Sequence, residues 1–175
     1  MKNQISQSKR FGSRGEYLVM VQIMLFFGFI LSPVWPEIRN TELYRTLSIF
    51  RWSILISFWA AAALFCLGGF AGIRRYLTPL PYPVENNQLV QSGVYGLVRH
   101  PLYSSMIAAA AGWSIFSMSL THILITSIIL LFFNYKASRE EVWLTERHPE
   151  YGDYAQRVGK FFPRLSNSHR HGQEH

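Results

Sequence analysis

The chain has 175 residues, 49% of them hydrophobic, 15% aromatic and only 15% charged, with a net charge of +7 and one cysteine. Soluble domains carry about 25% charged residues. This composition excludes a disordered chain, an internal disulfide framework and a Cys-rich zinc site, and the length argues against a soluble two-domain enzyme. The mean hydropathy of +0.09 averages charged ends and a charged middle with nearly bare stretches between them.

Residues 1–16 form a basic arm with Lys2, Lys9, Arg10 and Arg14. Tyr17–Trp35 then runs without a charge, with Gln22 and Ser32 as its clearly polar residues, and about 20 residues cross a bilayer core. It is too long for a signal-peptide core and ends in Ser-Pro-Val-Trp-Pro without a small-residue cleavage site, so it reads as a retained membrane helix. Trp52–Ile73 is a second span, Leu102–Met118 a third and Ile123–Tyr135 a fourth, the last two short and joined by a hairpin tip at Ser117–His122. Small residues in the second (Gly68, Gly69, Gly72) and third (Ala108–Ala111, Gly112) mark close packing or a cleft. Cys66 reads as packing and His122 as interfacial.

The expected architecture is therefore all-α and integral to the membrane: an arm at 1–16, two helices within 17–76, a core at 77–165 and a flexible tail at 166–175. Fourteen Lys/Arg fall on the arm, the central loop and the C-terminal region, against three in the first outer loop (36–51). That bias places both termini and the central loop in the cytoplasm. It accounts for the net charge without nucleic acid, for which no motif is present.

The central loop contains Pro79, Pro81 and Pro83, which favour an extended chain, then Gly93-Val94-Tyr95-Gly96-Leu97-Val98-Arg99-His100-Pro101-Leu102-Tyr103. Pro101 suits the first position of a helix. Arg99 and His100 thus stand at a helix N-terminus, a place for an anion, and equally for a snorkelling arginine and a helix cap. The fourth helix should continue past Tyr135 to Glu140 and Glu141, which point about 100° apart; an inward carboxylate there needs a cation. Beyond it, Pro149 starts a short helix with Tyr151, Tyr154 and Val158 on one face, and Arg157 is placed to reach back toward the glutamates.

The Gly93–Tyr103 motif, the apolar hairpin, the tandem glutamates and Pro149-Glu-Tyr-x-x-Tyr-x-x-Arg-Val158 together resemble the isoprenylcysteine carboxyl methyltransferase family, to which phospholipid N-methyltransferases are related. The resemblance covers roughly residues 88–165. It implies an S-adenosylmethionine-dependent membrane enzyme whose cofactor site, on the cytoplasmic face, is formed by the central loop, the helix 4 extension and the C-terminal segment. By resemblance, Gly93, Val94, Tyr95, Gly96, His100, Pro101, Tyr103, Glu140 and Glu141 bind the cofactor. Arg99, Glu141 and Arg157 serve catalysis, Tyr151 and Tyr154 contact a hydrophobic or lipid-like acceptor, and no metal is implied. The acceptor that the resemblance implies is of the isoprenylcysteine carboxylate type. Three other readings stand beside it: a phospholipid amine N-methyltransferase, an NADPH-dependent sterol-reductase-like enzyme, from the shared Arg-His-Pro-x-Tyr loop, and a non-catalytic helical-bundle partner protein.

Overall fold

The computed structural model describes residues 16–35, 39–73 and 89–164. The basic arm, the triple-proline stretch and the tail lie outside the described residues. In chain order the helices are α1 (Glu16–Leu31), α2 (Glu42–Thr46), α3 (Ser48–Ile73), a 3₁₀ turn (Gly93–Gly96), α4 (Pro101–Ser117), α5 (Leu120–Arg147) and α6 (Tyr151–Arg157). Among the described residues there is no β-strand, and one isolated parallel bridge joins Val98 to Gly159.

α1 stops at Leu31 because Pro33 disfavours helical backbone in the residue before it. The second span begins at Ser48, earlier than the expected Trp52. Arg51 therefore lies inside α3, not in an outer loop, and its side chain is buried. Its Nε donates to Phe116 O at 2.7 Å and its Nη1 to Tyr44 O at 3.0 Å. The carbonyls of a helix's last turn have no partner within the helix, and Arg51 satisfies one for α4. The Tyr44 ring stacks under the same guanidinium, 3.3 Å from its centre.

α4 and α5 form the expected hairpin. Met118 takes left-handed backbone (φ 50°) at the end of α4, and the Ser119 hydroxyl accepts from His122 N to cap α5. Because the connection is so short, the first turn of α5 folds inward. His122, at the hairpin tip, is buried: it is 2% exposed, with Nδ1 2.8 Å from Ser119 Oγ and its ring edge-on to Phe29. Gly112 lets α4 approach α3, since a Cβ there would stand 2.7 Å from Phe58 Cβ.

The buried centre comprises Ile107, Ile129, Phe133, Ala137 and Phe161. Around it the outer surface is apolar, with Ile23, Met24, Phe27, Ile30, Ile49, Leu67 and Leu131 all exposed. Cys66 is exposed on α3 as well, so it does not serve interior packing. Exposed apolar faces of this extent suit lipid contact. α3 and α5 are long and apolar enough to cross a membrane, and Tyr17–Leu31 is a shorter apolar helix. The apolar part of α5 ends at Tyr135; from Lys136 to Arg147 the helix carries six charged residues and continues beyond the span.

Candidate functional site

The 3₁₀ turn, the start of α4, the polar end of α5 and the chain following α6 meet at one end of the bundle. The turn opens at Gly93, whose φ of +63° lies in the left-handed region that glycine adopts without a Cβ penalty. Val94 and Tyr95 pack into the glycine stripe of α3. A Cβ on Gly68 would stand 2.6 Å from Val94 Cγ1, and one on Gly72 would stand 2.8 Å from Tyr95 Cε2. The Tyr95 hydroxyl donates to Gly69 O at 3.3 Å. The stripe thus seats the loop. Tyr154 in turn donates to Tyr95 O at 2.6 Å, and burial pushes both phenols up to about 12.

Past the turn, two distant segments run side by side. Arg99 N donates to Gly159 O at 2.8 Å and His100 N to Lys160 O at 3.1 Å. The Ser104 hydroxyl donates to Phe161 O at 2.8 Å. Gly159 is required there, because a Cβ would run into the Phe162 carbonyl oxygen. Pro101 occupies the first position of α4 as expected. His100 precedes it at the cap position without a side-chain cap bond, leaving its imidazole to face α5.

Glu141 is the centre of the charged cluster. Its Oε1 accepts from Arg99 Nε at 2.9 Å and from His100 Nε2 at 3.0 Å, with Arg99 Nη2 at 2.9 Å. Its Oε2 lies 3.5 Å from Lys160 Nζ. Burial pushes its carboxyl up, but the hydrogen bonds and charges of His100 and Arg99 outweigh that and hold it down at about 2. Glu140 does a different job, as two glutamates 100° apart must. Its Oε1 accepts from Tyr103 OH at 2.5 Å, and its Oε2 lies 3.7 Å from His100 Nδ1. The Tyr103 ring is stacked with both His100 and Phe133, at centroid distances of 5.5 and 4.6 Å.

Arg99 is engaged on every side, since its Nη1 also donates to Ala155 O at 2.9 Å and to Val158 O. Tyr151 is buried beside Arg99 and Glu141, and its hydroxyl makes no hydrogen bond of good geometry. The structure therefore brings together Gly93–Gly96, Arg99, His100, Pro101, Tyr103, Glu140, Glu141, Tyr151 and Tyr154. Arg157 does not join them. It is exposed, with its Nε bonding back to Asp153 O in its own helix. Val158, expected on the helix face, is instead extended at the end of α6 and leads Gly159 into the pairing with Val98. The C-terminal cation delivered to the glutamates is thus Lys160, which also bonds Asn134 Oδ1 (3.2 Å) and Ser138 Oγ (2.9 Å). Lys160 and Ser104 were not singled out from sequence; Gly159, directly before Lys160, is the local signal that could have pointed to a tight approach. Among the described residues no group of three or more His, Cys, Asp or Glu is placed to hold a metal.

Residues 54–152 match the phospholipid methyltransferase family, a stretch running from α3 into α6. The chain is 40% identical over 86 residues to the cobalt-zinc-cadmium resistance protein CzcN of Cupriavidus metallidurans, covering 47% of this chain and 38% of that protein. It is 35% identical over 83 residues to the nickel-cobalt-cadmium resistance protein NccN of Alcaligenes xylosoxydans xylosoxydans, covering 47% and 39%. The matched region spans well under half the length of either relative.

Proposed function

This chain belongs to the phospholipid methyltransferase family, within the superfamily related to isoprenylcysteine carboxyl methyltransferases, and on that footing we propose that it is an integral-membrane methyltransferase using S-adenosylmethionine. Its acceptor is hydrophobic or lipid-like. The observation that carries this reading is the convergence of His100, Tyr103, Glu140 and Glu141 with Lys160 of the C-terminal segment at one end of an apolar bundle. Fourteen basic residues on the arm, the central loop and the C-terminal region, against Arg39 and Arg45 ahead of α3, support a topology with the termini and the site in the cytoplasm, α1, α3, α4 and α5 being the four crossings.

The residues fit the cofactor's charges. Glu140 is the more exposed carboxylate, at 29% against 18% for Glu141, and its oxygen near His100 is left for an ammonium or ribose hydroxyl. Lys160 and the open backbone at Gly93 suit the cofactor's carboxylate. Arg99 and Glu141 saturate each other, so they act as positioning residues that fix His100 and the C-terminal segment. Tyr151, buried against the same pair, packs α6 onto it.

When bound, S-adenosylmethionine supplies the electrophilic methyl on its sulfonium. The protein's part is to orient the two reactants and exclude water, and the Tyr103–Phe133–Phe161 wall supplies the dry side. A carboxylate acceptor of the isoprenylcysteine kind gives up no proton. A phospholipid amine does, and Glu140 is the carboxylate with room to take it; the family match favours this second reading of the acceptor. The test is radiolabelled methyl transfer into membrane extracts, followed by separation of the lipids. Label should enter a lipid fraction with the parent protein and not with Glu140→Ala/Glu141→Ala. Transfer that survives in the double variant, or binding of NADPH in place of S-adenosylmethionine, overturns the reading.

A further inference from the structure

Lys136 takes no part in the cluster around Glu141, yet it is a cation only 8% exposed. It lies on α5 one turn before Glu140. Its ammonium donates to Gln22 Oε1 of α1 at 2.8 Å and stands 5.2 Å from the centre of the Tyr103 ring. Gln22 is itself fixed, since its Nε2 donates to Met106 Sδ at 3.8 Å and so turns its oxygen toward Lys136. An ammonium has three N–H donors. Here one meets a neutral amide, and the ring face is a weak partner.

The nearest acid, Glu140, has its oxygens turned to Tyr103 and His100, and no ion pair joins it to Lys136 among the described residues. Glu140 favours the charged form of Lys136 only through space, against the cost of burial. A buried cation without a hydrogen-bonded counter-ion is costly, and tying α1 to α5 needs no charge: two amides would do it. One turn deeper, Phe26 covers the fully buried Phe133, ring centres 6.2 Å apart, and beside it on α1 the exposed Ile23 and Phe27 provide apolar ground.

We propose that Lys136 and Gln22 form a recognition site for an anionic oxygen group, phosphate or carboxylate, on a membrane-borne acceptor. The acceptor's apolar chain lies along the α1–α5 seam, and Tyr103 separates its charged group from the cofactor cluster. This rests on the methyltransferase reading for its purpose but not for the binding itself.

The full chain in neutral detergent is titrated with hexadecyl phosphate, palmitate and, as the uncharged control, hexadecanol, while S-adenosylmethionine binding is followed separately by calorimetry. A charge-assisted contact predicts that at least one of the two anions binds about tenfold or more tightly than hexadecanol. Which anion is preferred distinguishes a lipid headgroup phosphate from a free acid, and either preference supports the site. Lys136→Met should abolish it without changing affinity for S-adenosylmethionine. Gln22→Glu gives Lys136 an internal counter-ion, keeps α1 tied to α5, and should abolish it too, so it replaces Lys136→Met if that variant does not fold. No preference in the parent, or a preference that persists in either folded variant, overturns the proposal. Failure of the parent to bind S-adenosylmethionine, with the anion preference intact, overturns the methyltransferase reading alone.

Discussion

Replacing Glu141 by Gln keeps the shape and an acceptor oxygen but removes the charge facing Arg99, His100 and Lys160. The carboxyl is held at about 2 against an ordinary 4.5, and that difference corresponds to about 3 kcal/mol of folding stability. Partial exposure of the pair (11% and 18%) brings the expectation to about 2–3 kcal/mol. For a chain of this size that is a fall of roughly 4–12 °C in melting temperature, readable by thermal unfolding in detergent at pH 7. The sign with pH follows from the lowered value: the contribution is fully present above pH 4.5 and is lost as pH falls toward 2. The gap between parent and variant should therefore close across that window, and the difference between the two proteins cancels the other carboxylates. A variant melting within about 1 °C of the parent at pH 7, or a gap undiminished at pH 2, refutes the assignment of Glu141 as the tie between the loop, α5 and the C-terminal segment.

Gly159→Ala forces a Cβ into the Phe162 carbonyl and should cost about 1–3 kcal/mol and weaken S-adenosylmethionine binding in calorimetry. Gly152→Ala in α6, where a Cβ meets nothing within 4 Å, should be neutral or slightly stabilising. Lys160→Met should lower stability by about 1 kcal/mol and reduce cofactor affinity; Arg157→Ala should stay within about 0.5 kcal/mol of the parent, and the reverse order would restore Arg157 to the site. Tyr154→Phe removes the 2.6 Å bond to Tyr95 O. Spectrophotometric titration should find both phenols of the parent ionising near pH 12, with their stabilising contribution complete below pH 10 and lost as pH rises toward 12.

The parts of the site that local rules govern were legible in the sequence. Pro101 marks a helix start, the polar run after Tyr135 extends α5, and adjacent glutamates must part ways on a helix; each depends on neighbours within a turn. What was not legible depends on pairings between distant residues. Lys136 meets Gln22 across 114 positions, and no periodicity in either helix announces the partner. Arg51 looked like a loop charge because its reason for burial, a bare carbonyl at Phe116, lies 65 residues away. Arg157 and Lys160 both suit the glutamates by spacing, and the choice falls to the extended backbone at Val158, whose carbonyl Arg99 holds and which leads into the bridge between Gly159 and Val98. The glycines of α3 signalled close approach, but not that Gly68 and Gly72 would meet the 3₁₀ turn while Gly69 meets the start of α4.

The side-by-side run of residues 98–100 with 159–161 also bears on how the chain is made. Arg99 binds carbonyls 56 and 59 positions further along, with both hairpin helices synthesised in between. Translation therefore delivers α4 and α5 for insertion well before the residues that complete the site exist, and contacts of such long sequence separation form slowly. Insertion and site assembly are consequently separable events. A substitution at Gly159 should yield a protein that reaches the membrane in normal amounts with its helices in place, yet arrives there without a finished site.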